Sequence, residues 1–156
     1  MHFSLLYVSE KPNQWVEQAC NTYLKRMPPS FGFTEKRIQP VKRTKNTHLE
    51  AARDQEWQLI REKINHQALI VLLDERGKQY TSKNFSQQID AWQHHGQDVT
   101  FVIAGADGVN ASHRQQAHSL LALSQLTLPH EMARVFLIEQ LYRSWSILNN
   151  HPYHRI

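Results

Sequence analysis

The sequence predicts one α/β domain: an open parallel sheet of about five strands with helices on both faces. Short apolar runs of strand length alternate along the chain with longer segments whose apolar residues recur at helical spacing. ALIVLL at 68–73 is apolar throughout and VTFVI at 99–103 is apolar except for Thr100, which is typical of strands buried on both faces of a parallel sheet. The length of 156 residues suits one core, so residues 1–156 are expected to form a single domain.

The first part of the chain contains two predicted strands around one predicted helix. His2–Val8 is a short apolar run, and a helical pattern follows it from Pro12 until Pro28 stops it. Phe31–Val41 mixes apolar and polar residues in a way that suits a strand. Because Pro40 cannot donate to a central ladder, this strand is expected at an edge of the sheet.

The middle of the chain predicts two helices on either side of a buried strand. Leu49–Ile64 is a charged segment with a helical apolar pattern, and it leads into the strand at 68–73, which is expected to close directly after Leu73. Ser82 or Asn84 caps the following helix, which ends at Gly96 because glycine readily adopts the left-handed conformation of a helix terminus.

The last part of the chain repeats the strand and helix alternation. The strand VTFVI exits into AGADG at Ala104–Gly108, and Asn110 or Ser112 starts the next helix; Ser112 also matches a capping box with the glutamine three residues later. A last short strand is expected within Leu120–Leu128. Pro129 suits the first position of a final helix that runs almost to the end of the sequence.

That final helix is apolar over more than half of its circumference. Its apolar positions are Met132, Val135, Phe136, Leu137, Ile138, Leu141, Tyr142, Trp145 and Leu148. One face of a sheet cannot cover such a surface, so the pattern predicts that a second copy of the chain covers the rest in a symmetric homodimer. A helix buried wholly within one subunit is the alternative.

Composition and charge indicate a globular chain with a preference for anionic partners. Hydrophobic residues make up 40% and charged residues 21%, and the formal net charge is +4 with ten histidines besides. Ordinary charge scatter is the alternative explanation. No apolar run has the length of a membrane span, and the amino-terminal FSLLYV is too short for a signal peptide, so a cytoplasmic location and no membrane partner are expected.

Several kinds of chemistry are disfavoured by the residues present. Cys20 is the only cysteine, which excludes an internal disulfide and favours an inert packed thiol. Among the histidines only 94/95 and 151/154 form close pairs, so no metal is expected. The turn AGADG is not a G-x-G-x-x-G motif and follows a late strand, which argues against a dinucleotide site of that kind.

The segment Ser124–His130, SQLTLPH, is more informative. Small and polar residues at the end of a short strand, followed by a proline at a helix start, leave main-chain groups free at the carboxyl edge of the sheet. Parallel α/β sheets bind ligands at this edge. The segment therefore predicts a site where an adenine ring is recognised by main-chain hydrogen bonds.

The run LSQLTLPHEMARVFLIEQLYRSWSILNNHPYHR, from Leu123 to Arg155, resembles the carboxy-terminal signature of the small SPOUT-superfamily methyltransferases that modify N3 of a pseudouridine in 23S ribosomal RNA. The resemblance extends over the whole chain. It implies a parallel sheet with a carboxy-terminal trefoil knot, an obligate homodimer, S-adenosyl-L-methionine as the methyl donor, and the large ribosomal subunit or the assembled ribosome as partner.

The resemblance also implies three sets of site residues. Residues that would hold the cofactor are Leu73, Ala104, Gly105, Leu123, Ser124, Gln125, Leu126, Thr127 and Leu128. Residues of the tail that would act on the RNA base are Tyr153 by stacking, His154 as the base that accepts the proton, and Arg155 on a phosphate or carbonyl oxygen. Residues that would contact RNA are Lys42, Arg43, Lys45, Arg134 and Arg143.

One departure from the family pattern leaves alternatives open. The family carries two glycines where this chain has Ala104 and Gly105, and a methyl group close to a bound ligand can weaken cofactor binding. A non-catalytic RNA-binding dimer with a degenerate cofactor site is therefore one alternative. A related SPOUT enzyme that acts on tRNA is another.

Overall fold

The computed structural model describes residues 1–155, and its strands form one fully parallel sheet. The strands are β1 (Phe3–Val8), β2 (Phe33–Ile38), β3 (Leu69–Gln79), β4 (Val99–Ile103) and β5 (Ser119–Ala122). Their order is β2-β1-β4-β3-β5, and every neighbouring pair is parallel. The predicted five-stranded parallel α/β sheet is confirmed, as is the edge position of β2.

Helices cover both faces of this sheet, as predicted. They are α1 (Gln14–Leu24), α2 (Leu49–Arg61), α3 (Ser82–His95), α4 (Ala111–Gln116) and α5 (His130–Leu148). The apolar residues of α1, α3 and α5 share one core with alternate residues of β1 and β4, whereas those of α2 pack on the opposite face. Because β1 and β4 are buried on both faces, they tolerate apolar residues at consecutive positions.

The strand β3 extends well past the predicted end at Leu73. After a register shift between Leu73 and Lys78, it pairs with β5 a second time through Gln79. Gly77 permits the close approach of β3 to β5 at this register shift, since a β-carbon there would lie 2.5 Å from the carbonyl carbon of Leu120. The polar residues after Leu73 look like a turn in the sequence, and only the second pairing shows them to be a strand.

The predicted caps of α3 are wrong, whereas Asn110, one of the two residues predicted to start α4, is confirmed as its cap. Thr81, not Ser82 or Asn84, caps α3 by accepting a 3.1 Å hydrogen bond from the Asn84 main-chain N–H. Asn110 caps α4 in a reciprocal capping box with His113, so the proposed Ser112 box does not form. The predicted end of α3 at Gly96 is confirmed, with φ of 71°.

The last strand is shorter than predicted, which leaves a loop in front of α5. β5 ends at Ala122, and residues 123–128 leave the sheet before Pro129, which stands as the cap of α5 and not as its first residue. The charged helix α2 likewise ends at Arg61, three residues before the predicted Ile64. Within residues 1–155, no helix is both long enough and apolar enough to cross a bilayer.

Candidate functional site

A cavity of about 440 Å³ opens at the carboxyl edge of the sheet. Its walls are the end of β3 at Leu73, the turn after β4 at Ala104–Gly108, the loop at 123–128 and the first turn of α5. This is the edge at which parallel α/β sheets bind ligands, and the volume lies in the range of ligand pockets.

The structure brings together all but one of the residues predicted to hold a cofactor. Those that line the cavity are Leu73, Ala104, Gly105, Leu123, Ser124, Leu126, Thr127 and Leu128. Gln125 is exposed and does not contribute to the wall. The segments come from parts of the chain up to 55 residues apart, from Leu73 to Leu128, and the sheet brings them together because parallel strands end at the same edge. Their role in binding stays a prediction.

Gly105 lets the turn after β4 lie close to the neighbouring strand. A β-carbon there would lie 3.1 Å from Cγ1 of Val8 and 3.5 Å from Oε1 of Glu56. Gly108 serves the same turn through its φ of 66°, in the left-handed region that favours glycine. Ala104, where the family resemblance implies a glycine, also lines the cavity.

The loop at 123–128 presents unpaired main-chain donors. Ser124 Oγ accepts a 2.9 Å hydrogen bond from the main-chain N–H of Leu126, and Thr127 Oγ1 donates to Glu75 across the cavity mouth at 3.2 Å. Within residues 1–155, the main-chain N–H groups of Thr127 and Leu128 donate to no protein acceptor. They are therefore available to a ligand.

Two carboxylates at the cavity were missed by the sequence reasoning. The Asp74 side chain is 8% exposed and forms an ion pair with Arg114, Nε to Oδ2 at 2.7 Å, whereas Glu75 is exposed at the mouth. Both directly follow the predicted strand, and this position at a strand end could have identified them as residues of the site. His130 and Ala133 of α5 also line the cavity, and only the folded chain places them there.

The carboxy-terminal tail packs against the far end of α5. Residues Pro152–His154 form a short 3-10 helix, and the Tyr153 hydroxyl donates to Oε1 of Glu139 at 2.8 Å. The Tyr153 ring lies 4.6 Å from that of Tyr142, and the Arg143 guanidinium lies 5.2 Å above it. Arg143 also donates to Glu139 through Nε and Nη2.

Burial, with the hydrogen bond to Glu139 as a second cause, raises the pKa of Tyr153 well above its usual value. The phenol is therefore neutral at physiological pH, and it is a donor and not a base. The hydrogen bonds that Arg143 donates to Glu139 raise the pKa of Arg143. Glu139 thus fixes the tail by accepting hydrogen bonds from both Tyr153 and Arg143. In the sequence, the only sign of this role is the four-residue spacing between Glu139 and Arg143.

The tail and the cavity do not meet within one chain. His154 contacts Ser146 near the end of α5, while Ala133 of the first turn lines the cavity. The thirteen-residue separation of Ala133 and Ser146 corresponds to about 20 Å along a helix. The structure therefore gathers the predicted cofactor residues in one place and the predicted catalytic residues Tyr153, His154 and Arg155 in another.

Some of the predicted RNA contacts have charged groups that are accessible, whereas others are already paired with carboxylates of the protein. Lys42 and Lys45 are exposed, and neither forms an ion pair within the described residues. Arg143 is 27% exposed and retains one nitrogen outside its pair with Glu139. Arg43 is held by Glu56 and Asp107.

The prediction for Arg134 is wrong. This residue is 2% exposed, and its guanidinium lies between Glu17 and Glu35 with its face 4.2 Å from the Tyr7 ring centroid. Burial lowers its pKa, but the hydrogen bonds to both carboxylates raise the pKa of Arg134 overall. A side chain so enclosed cannot reach a phosphate, and it holds α5 to the sheet edge instead. No group of three or more potential metal ligands occurs within residues 1–155.

Comparison with known proteins agrees with this architecture. A family model described as "Predicted SPOUT methyltransferase" matches residues 1–154. The chain is 44% identical to the ribosomal RNA large subunit methyltransferase H of Herminiimonas arsenicoxydans over 100% of both chains. It is 42% identical to the protein of that name from Paraburkholderia phymatum over 100% of both, and 41% identical to that of Cupriavidus metallidurans over 99% of both.

Proposed function

The chain belongs to the SPOUT methyltransferase family, and we propose that it transfers the methyl group of S-adenosyl-L-methionine to N3 of a pseudouridine in 23S ribosomal RNA. The RNA substrate is supported by relatives that are named ribosomal RNA large subunit methyltransferases at 41–44% identity over the full length. The observation that carries the proposal is the cavity at the carboxyl edge, because all but one of the residues that the family resemblance implies for the cofactor line it.

The chemistry of the cavity fits this cofactor. Leucine side chains at 73, 123 and 128 provide an apolar wall for the adenine ring, and the free N–H groups of Thr127 and Leu128 suit its ring nitrogens. S-adenosyl-L-methionine also carries a positively charged sulfonium. The Glu75 carboxylate at the mouth has only the Thr127 hydroxyl as a protein partner within residues 1–155, so it can attract that charge.

The transfer requires a correctly placed base nitrogen and an acceptor for its proton. The cofactor, when bound, supplies an electrophilic methyl group. The protein must align N3 with that group and accept the N3 proton, and both demands fall on the tail. Tyr153 offers an aromatic face for stacking, His154 offers a ring nitrogen as base, and exposed Arg155 offers a cation for an oxygen that gains charge.

A homodimer reconciles the separation of tail and cavity. Because about 20 Å of helix lies between them in one chain, a second copy must bring its tail to the cavity of the first. The surface of α5 supports this arrangement: Phe136 is 42% exposed, and Val135, Trp145 and Leu148 of the predicted stripe are only partly buried. The site that we propose is therefore composed of two chains.

The RNA is bound through cations that the fold leaves at least partly exposed. Lys42, Lys45, Arg143 and Arg155 carry charges that the fold leaves accessible, and the net charge of +4 favours a polyanion. Binding should therefore weaken as salt is added. The trefoil knot implied by the family resemblance stays a prediction.

Calorimetry with S-adenosyl-L-methionine, followed by mass spectrometric mapping of ribosomal RNA, tests the proposal. Saturable binding and an N3-methylated pseudouridine in 23S RNA that is absent without the protein are expected. The variant Ala104→Leu places bulk in the cavity and should abolish binding, whereas Ala91→Leu on the exposed side of α3 should not.

Two results would contradict the proposal. RNA binding without any cofactor binding would identify a non-catalytic dimer in which Ala104 has degraded the site. Cofactor binding with methylation confined to tRNA would identify a related enzyme with another substrate.

A further inference from the structure

We propose that Arg43 is a positioning residue for the glycine turn at Ala104–Gly108, and not a contact for RNA. The inference rests on the proposed function, because the turn would be one wall of the cofactor site. Arg43 belongs to the basic loop between β2 and α2, where the sequence alone does not distinguish it from Lys42 and Lys45.

Every nitrogen of the Arg43 guanidinium is engaged by acceptors of the protein. Nε donates to Oδ2 of Asp107 at 3.0 Å, and Nη1 donates to the Val41 carbonyl at 2.6 Å and to Glu56. Nη2 donates to Oε1 of Glu56 at 3.1 Å and lies 2.9 Å from Oδ2 of Asp107. The hydrogen bond to Glu56 raises the pKa of Arg43 above its usual value. No nitrogen remains for a phosphate.

Glu56 is the buried carboxylate that holds Arg43 in this position. Its side chain is 5% exposed, and besides Arg43 it accepts a 2.9 Å hydrogen bond from the main-chain N–H of Val41. A β-carbon at Gly105 would lie 3.5 Å from Glu56 Oε1, so the carboxylate lies directly behind the turn. A buried carboxylate requires a cation in fixed geometry, and that requirement keeps Arg43 in place.

Asp107 is the point where the turn is held. The other four residues of the turn line the cavity, whereas Asp107 does not. Its side chain pairs with Arg43, and its main-chain oxygen accepts a 2.8 Å hydrogen bond from Nε of Arg53. The turn therefore presents one side to the cavity and is fixed from the other side by two arginines.

A turn fixed in advance binds a ligand more tightly than one that must be ordered on binding. Loss of the Arg43–Asp107 pair should therefore weaken cofactor binding and leave RNA binding unchanged. A phosphate contact at Arg43 would have the opposite effect. A positioning role for Arg43 therefore predicts a loss of cofactor affinity, whereas a phosphate contact predicts a loss of RNA affinity.

The test compares three single variants and the Arg43→Gln/Asp107→Ala double variant by calorimetry with S-adenosyl-L-methionine and by RNA binding at several salt concentrations. Arg43→Gln removes the cation but leaves Glu56 buried without a partner, which can impair folding. Asp107→Ala removes only a partly exposed carboxylate and keeps Glu56 paired. Lys42→Gln is the control, since it removes an exposed charge from the neighbouring position.

Asp107→Ala and Arg43→Gln should each raise the dissociation constant for the cofactor about tenfold, which corresponds to about 1.4 kcal/mol. The double variant should be no worse than the more damaging single one, because both remove the same contact. The RNA affinity and its salt dependence should match those of the unaltered protein. Lys42→Gln should weaken RNA binding and leave the cofactor affinity intact.

Hydrogen exchange of the 104–108 amides without cofactor provides a second readout. Exchange should be faster in Arg43→Gln and Asp107→Ala than in Lys42→Gln. The inference is overturned if Arg43→Gln resembles Lys42→Gln both in its cofactor affinity and in the exchange rates of the 104–108 amides. If the unaltered protein binds no cofactor, the proposed function fails, and the exchange rates still decide whether Arg43 holds the turn.

Discussion

Nδ1 of His154 lies 2.8 Å from Oγ of Ser146, and this contact determines which ring nitrogen of the histidine is free. The Ser146 hydroxyl donates its only hydrogen to the His151 carbonyl at 2.9 Å. It can then only accept from His154, so this hydrogen-bond network assigns the proton of the neutral ring to Nδ1. Nε2 is left with a lone pair, as a proton acceptor requires.

We expect His154→Ala to lower the methyl-transfer rate by about 10²- to 10⁴-fold, the usual contribution of a general base. Ser146→Ala should lower it by about fivefold, since it removes the contact that orients the ring, worth roughly 1 kcal/mol. Single-turnover assays measure the rate, and calorimetry should show unchanged cofactor affinity for both. His95→Ala, at an exposed histidine, is the control. An unchanged rate in His154→Ala would exclude the base role.

A chain truncated after Asn150 should bind cofactor and dimerise but transfer no methyl group, because it lacks the tail. Mixing it with the cavity-blocked Ala104→Leu chain should restore activity to roughly a quarter of the unaltered level, since mixed dimers contain one intact composite site. Subunit exchange followed by an RNA methylation assay measures this recovery. No recovery, or a stable monomer that methylates RNA, would contradict the two-chain site.

Replacement of Arg134 should affect stability and not RNA affinity. Arg134→Leu leaves the Glu17 and Glu35 carboxylates without their cation and removes the contact with the Tyr7 ring. We expect a loss of about 3 kcal/mol in unfolding free energy, as found when one partner of a buried ion pair is removed. Urea denaturation measures the loss. Arg143→Leu should lose less stability and more RNA affinity, and the reverse ranking would restore Arg134 as an RNA contact.

The single thiol should be unreactive in the folded protein. Burial raises the pKa of Cys20 from 9.0 to about 11. Because the folded pKa exceeds the unfolded one, the protonated thiol stabilises the fold below pH 9, and this contribution is lost as the pH rises through 11. Alkylation at pH 8 should therefore be slow in buffer and fast in urea, as mass spectrometry will show.

A matched control for this prediction lies on the same helix. Thr22→Cys in a Cys20→Ala background places a thiol at an exposed position of α1. It should react rapidly in buffer at the same pH. Equal alkylation rates for the two thiols in the folded state would contradict the burial of Cys20.

Local features of the chain were predictable because their causes lie within a few residues. Continuous apolar runs at 68–73 and 99–103 are stable only when covered on both faces, and this requirement alone indicates a parallel sheet. Gly96 ends α3 because of its own backbone freedom. The segment Ser124–His130 was singled out from its residues as a ligand site, and most of it lines the cavity, as expected from the rule that parallel strands end at one edge. Its role in cofactor binding stays a prediction.

The tertiary structure decided which charges are free and which strand pairs a second time. Arg43 and Arg134 resemble Lys42 and Arg143 in the sequence, but their carboxylate partners lie 13 to 117 residues away, and no local pattern encodes such distances. The extension of β3 past Leu73 likewise depends on the approach of β5. Backbone preference and apolar periodicity act within a turn or two, whereas burial and ion pairing are properties of the assembled chain, and so they appear only once it is folded.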